Sequence, residues 1–316
     1  HNITVKSTKS NSFDGSINSL HNNSTNRMLM KRSNSISYIQ IDAKQELKKN
    51  AANISWLVLA LSCGIMFGNY YAYDNPAALN RPLQDWMGFE TMGAFNYWLS
   101  LCYSVYSFPN IFLPLLAGSW MENYGLKKSL MILSILVCLG QAFFSQGVSA
   151  KNANLTLLGR LIFGLGGECL AVAQARLVTE WFLNKELALA LGMNLSVARV
   201  GTIVNNVMSA WIYERWGIEA AVWTGFATCV ISTFCSLGTI LITNHCNKNI
   251  SPSRAIRRNC PNSAAFINGS FWLILLVCFL YYGAIIPYNN VASDLLARRN
   301  YLTLGQANIY MSVPDF

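Results

Sequence analysis

The chain holds 316 residues, 53% of them hydrophobic and only 12% charged, about half the charge of an ordinary soluble domain. That balance excludes a soluble globular fold for most of the length. The net charge of +9 would suit a nucleic-acid binder, but the basic residues follow a topological pattern instead, so nucleic acid is not an expected partner.

In chain order, residues 1–50 are rich in Asn, Ser and Lys. They hold too little apolar surface to order themselves and read as a disordered cytosolic tail. They lack the apolar core of a signal peptide. Tyr38 through Ile41 fits a loose tyrosine sorting pattern, which tail sequence also supplies by chance. Long apolar runs then follow at 54–73, 93–117, 129–149, 155–182, 187–212, 220–243 and 271–292. Each reads as a transmembrane helix, because only a helix satisfies its own backbone groups in lipid. A further run begins near Gly305, close to Phe316, and the first residue is His1 rather than Met; the expectation is a chain cut at both ends.

The fold class expected is an all-α membrane protein. Residues 51–243 form a six-helix bundle, 244–270 a polar linker with Arg257 and Arg258, and 271–316 the start of a second bundle. Two six-helix halves joined by a linker is the plan of many secondary transporters. With the N-terminus in the cytosol, the tail, Lys127, Lys128, Lys185 and the basic linker share the cytosolic side. Arg81, Lys151, Arg215, Arg298 and Arg299 lie opposite. That asymmetry agrees with the positive-inside rule.

The 9 cysteines show no Cys-x-x-Cys spacing and most fall inside apolar runs, where cysteine packs as a small hydrophobe. Neither a metal site nor a cofactor is expected. His1, His21 and His245 lie outside the spans, so no nucleophile–base set is formed and an enzyme is not expected. Asn154-Leu155-Thr156 is a glycosylation sequon at the non-cytosolic mouth of the fourth span.

The informative residues are charges within apolar runs, which cost roughly 2.5–3.5 kcal/mol each near the bilayer centre. Glu168 sits near the middle of the fourth span and Arg199 near the middle of the fifth. On antiparallel neighbouring helices they reach similar depth, as at the substrate site of a secondary transporter. Glu168 can hold an ammonium group and Arg199 a carboxylate through two parallel hydrogen bonds, which suits a zwitterion. When empty, the two can neutralise each other. The alternative is a static buried ion pair that fixes helix packing.

Arg176 lies two turns past Glu168, roughly 12 Å nearer the cytosol, and Glu180 follows at i+4, where the two can pair. They read as gate or structural charges. Arg160, Gly164 and Gly166 open a glycine-rich stretch that allows close helix approach. Between the second and third spans, Gly118, Glu122, Gly125 and Lys127 place an acid, a turn and a base together. This segment reads as an ion-paired gate or, more plainly, a basic cytosolic loop. Tyr70 and Tyr73 near the end of the first span, and Tyr282 in the seventh beside Gly283 and Pro287, line a polar cavity or form an interfacial aromatic belt.

These segments carry a resemblance. Residues 118–128 resemble the loop motif of the major facilitator superfamily, Gly-x-x-x-Asp-Arg-x-Gly-Arg-Lys, with Glu122 and Asn123 in place of Asp and Arg. Residues 160–166 resemble its fourth-helix motif, Arg-x-x-x-Gly-x-Gly. The Gly-Pro motif of drug/proton antiporters is missing from the fifth span. Gly166-Gly167-Glu168, the run from Trp181 to Ala190, Ala198-Arg199-Val200-Gly201 and Tyr282 through Pro287 are similar to the superfamily's lysosomal dipeptide transporters.

That resemblance implies uniport of dipeptides by alternating access, a lysosomal or other endomembrane setting, and a glycosylated lysosomal membrane protein as accessory subunit. It assigns the peptide amino terminus to Glu168 and the carboxylate to Arg199. The plasma membrane stays open as a location. So do a proton-coupled carrier of organic anions or sugars, with Arg199 as anion ligand, and a non-transporting receptor or scaffold.

Overall fold

A computed structural model of the chain describes residues 53–182, 186–247, 269–299 and 303–312. The 1–50 tail, its tyrosine pattern and most of the 244–270 linker lie outside the described residues. The chain divides into compact units at 1–56 and 57–316. Of the first, only the opening turn of a helix is described; everything that follows concerns the second. The regular structure of the described residues is α-helical.

Helix α1, Asn53–Ala78, outruns the expected end at Tyr73. Asp74-Asn75-Pro76 has the composition of a helix stop, because Pro76 cannot donate to the carbonyl of Ala72 and crowds it. The helix persists because other groups take up what the proline leaves. Arg160 donates from its two terminal nitrogens to the carbonyls of Tyr73 at 3.3 Å and Ala72 at 3.4 Å. The Asn75 amide reaches Asn205, Ser209 and the carbonyl of Ala221 at 3.1–3.3 Å.

A short helix the apolar pattern did not announce, α2, follows at Asn80–Met87, closed by Gly88 in the left-handed region at φ 74°. The single expected span at 93–117 is two helices, α3 at Met92–Asn110 and α4 at Leu113–Tyr124. Pro109 and Pro114 each remove a backbone donor, and the helix breaks between them at Ile111 and Phe112. Gly125, at φ 88°, turns the chain from α4 directly into α5, Leu126–Ser149.

Helix α6, Ala153–Trp181, is capped by the Asn152 side chain, which accepts from the backbone of Asn154 and Leu155. The sequon therefore lies in a helical first turn, with the Thr156 hydroxyl donated to the carbonyl of Ala153. The fifth and sixth expected spans form one element, α7, Leu187–Asn247, broken at Gly217 with φ 84° and ψ 179°. Its 61 residues would extend roughly 90 Å if straight, three times the hydrocarbon core, so it accounts for two crossings. Helix α8, Gly269–Arg299, runs through Gly283 and Pro287 as one helix, and α9 occupies Leu304–Ser312.

Helix association in lipid rests on close packing rather than on water exclusion. Among the described residues an extensive contact joins α5 to α6. There a Cβ added at Gly140 would strike the backbone of Phe163, and one at Gly159 the backbone of Phe144. Helix α6 also packs on α3, where Gly164 abuts the carbonyl of Tyr106. A cluster built on Leu83, Phe95, Trp98, Phe144, Ile212 and Val222 fills the end of the bundle where α1 meets α2. A buried amide pair, Gln174 and Asn194, exchanges hydrogen bonds of 2.8 and 3.0 Å between α6 and α7.

Candidate functional site

Five residues singled out from the sequence, Tyr70, Tyr73, Glu168, Arg199 and Tyr282, line one cavity of about 490 Å³. Helix α1 contributes Asn69, Tyr70, Tyr73, Asp74 and Ala77 to its wall; α3 contributes Tyr106 and α6 Glu168. Helix α7 supplies Arg199 and Thr202, α8 supplies Tyr281, Tyr282, Ile285, Ile286 and Asn289, and α9 supplies Met311. Glu168 is exposed at this surface, and Arg199 and Tyr70 are half-buried.

The position of Glu168 depends on α3. The Tyr106 hydroxyl donates to its Oε1 at 2.9 Å. Tyr106 lies against α6 because two glycines leave room for it: Gly164 meets its backbone, and a Cβ on Gly167 would sit 2.9 Å from its hydroxyl oxygen. The Tyr73 ring packs against that of Tyr106 at a tilt, with centroids 4.8 Å apart. The guanidinium carbon of Arg199 lies 5.7 Å from the ring centroid of Tyr70, within range of cation–π attraction. Gly201, two residues on, lets α7 approach the carbonyl of Phe67 to 2.6 Å from its would-be Cβ. The Thr202 hydroxyl donates to Asp74 Oδ2 at 2.7 Å.

The other sequence candidates fall elsewhere. Arg160 does not line the cavity; it is fully buried, with Phe144, Phe163 and Tyr103 rings around its guanidinium at 4.4, 5.6 and 5.8 Å. Arg176 and Glu180 pair at 3.6 Å on α6, as their spacing predicted. The 118–128 segment departs from the ion-paired gate. Glu122 is exposed and makes no ion pair with any described residue. Lys127 instead donates to Asn244 near the end of α7 at 2.7 Å. A Cβ added at Gly118 would meet no described neighbour within 4 Å, and Gly125 acts as the turn.

Tyr106 and Thr202 escaped the sequence reading, since uncharged polar residues in an apolar run stand out little; Asn69, beside Tyr70, was visible in it as a cavity residue. Asp74 was visible but was read as lying past the helix end.

The match to the sequence model of the Major Facilitator Superfamily runs over residues 87–298. The chain belongs to the Major Facilitator Superfamily. It is 32% identical over 270 residues to a Danio rerio protein named lysosomal dipeptide transporter MFSD1, covering 81% of this chain and 58% of that one. It is 33% identical over 247 residues to the Homo sapiens protein of the same name, covering 73% of this chain and 52% of that one. The chain thus spans about half the length of these curated relatives. A crystal structure of a D-xylose–proton symporter superposes with a TM-score of 0.57 at 12% identity, over 83% of this chain and 65% of that one. At that identity the likeness concerns the fold alone. On the superfamily's plan, α1 to α7 supply the first bundle, and α8 and α9 begin the second.

Proposed function

We propose that the protein is a facilitative transporter that moves dipeptides or similar small zwitterions by alternating access, as a uniporter of the lysosomal membrane. One observation carries this reading. A carboxylate from α6 and a guanidinium from α7, Glu168 and Arg199, share the wall of one cavity, whose volume falls in the range of small-molecule sites. Opposite charges lining one cavity match the two ends of a zwitterion. The name that the relatives share supports the substrate class and the organelle. A glycosylated lysosomal membrane subunit belongs to the same reading, as a partner outside this chain.

Dipeptide uptake by the full-length protein in proteoliposomes tests it. Glu168→Gln and Arg199→Ala each lower uptake by at least about tenfold, the effect of leaving one member of a desolvated charge contact unpaired. Wild-type rates in both variants overturn the assignment. The second carboxylate, Asp74, favours one alternative, flux coupled to protons. Uptake that stays constant when the pH gradient is collapsed supports uniport; uptake that vanishes supports coupling.

A further inference from the structure

Helix α1 is followed by a second proline defect. The carbonyl of Ala78 would accept the amide hydrogen of residue 82 in a continuing helix, but residue 82 is Pro82, which has none. A buried carbonyl without a donor is costly. The donor comes from the second bundle. Asn308 of α9, fully buried, gives one amide hydrogen to Ala78 O at 2.9 Å and the other to the carbonyl of Asn206 on α7 at 3.0 Å. A second cross-contact lies nearby in sequence on both sides: Arg81 Nε of α2 meets Asp294 Oδ1 of α8 at 3.0 Å.

These contacts adjoin the cavity. Ala77, the neighbour of Ala78, lines it, as does Met311, one turn along α9 from Asn308. Every one of these bonds joins an element of the first bundle to one of the second.

We propose that Asn308 and the Arg81–Asp294 pair form a latch that holds the two bundles together at the α1/α2 end of the cavity, and that the latch is released when the cavity opens there. An amide that satisfies a proline-orphaned carbonyl suits this task. The carbonyl gains its donor only in the closed state, and water supplies the donor once the bundles part. The bond therefore favours closure without a charge that must be stripped of water in each cycle. The Arg81–Asp294 pair adds a partly solvent-exposed ion bond beside it. This inference needs alternating access but not any particular substrate.

The test reads accessibility rather than flux, so a wrong substrate assignment does not affect it. In the full-length protein, Met311→Cys places a thiol beneath the latch. Its labelling by a membrane-impermeant maleimide, applied from the side on which α1 ends, is measured as the increment over the protein without the reporter. Asn308→Ala and, separately, Arg81→Asp raise the labelling rate by about tenfold, as expected when a rare open state becomes common. The exchange Arg81→Asp with Asp294→Arg returns the rate to the parental value, which a merely misfolded protein does not do. Unchanged labelling in both single variants overturns the latch, and so does failure of the exchange to restore the rate.

Discussion

Ala72 and Ala78 each lose their helical donor to a proline four residues on, Pro76 and Pro82, yet the two carbonyls are served from different places. Ala72 is mended within its own bundle by Arg160, fully buried and ringed by Phe144, Phe163 and Tyr103. Ala78 is mended by Asn308 from α9, across the boundary between bundles. The first repair is a packed cation with no exit to water. The second is a neutral amide whose release leaves only groups that water can satisfy. The same backbone defect thus yields a permanent brace in one case and a separable contact in the other.

The comparison breaks most severely at the brace. Arg160→Met removes the donors of two carbonyls and a well-packed charge, and is expected to lower stability by about 3–5 kcal/mol, read by thermal unfolding in detergent. Pro76→Ala in the same background restores an amide hydrogen to Ala72 O and recovers about 1 kcal/mol of that loss. No recovery in the double variant would mean that Arg160 acts only by filling space.

Next is Gly164→Ala. Its methyl group would strike the carbonyl of Tyr106, so α3 and α6 are forced apart at about 1–3 kcal/mol. Tyr106→Phe removes the hydroxyl from Glu168 and, on the proposed function, raises the KM for dipeptide by about tenfold while the melting temperature changes little. An unchanged KM would mean that Glu168 needs no positioning from α3. Asn308→Ala is expected to cost only about 1 kcal/mol in the same melting assay, well below Arg160→Met, because the bundles can part there and water then replaces the lost donor. Equal losses at Arg160 and Asn308 would erase the distinction between brace and latch.

Glu168 and Arg199 were legible in the sequence because a charge inside an apolar run has few inexpensive explanations. Their arrival on one cavity wall follows from close packing at glycines, and the glycine-rich run around Glu168 was visible too. Tyr106 was not, since one tyrosine among the aromatic residues of α3 carries no mark of which helix it touches. Asp74 was misplaced for a physical reason: Asp-Asn-Pro is a stop signal by local preference, and distant donors override it. The break between α3 and α4 was written in Pro109 and Pro114, but the continuous apolar run concealed it. In the 118–128 segment, acid and base are close in sequence without being paired, because Lys127 finds Asn244 instead.

Sequence alone determined where the chain is apolar enough to cross a bilayer and which crossings carry charge, because both depend on local composition and the low polarity of lipid. Only the tertiary structure decided how far α1 extends and what holds its weakened turns. Arg160 lies 88 residues from Ala72, and Asn308 lies 230 from Ala78. A hydrogen bond needs its partners within about 3 Å in space, and no local pattern encodes that proximity.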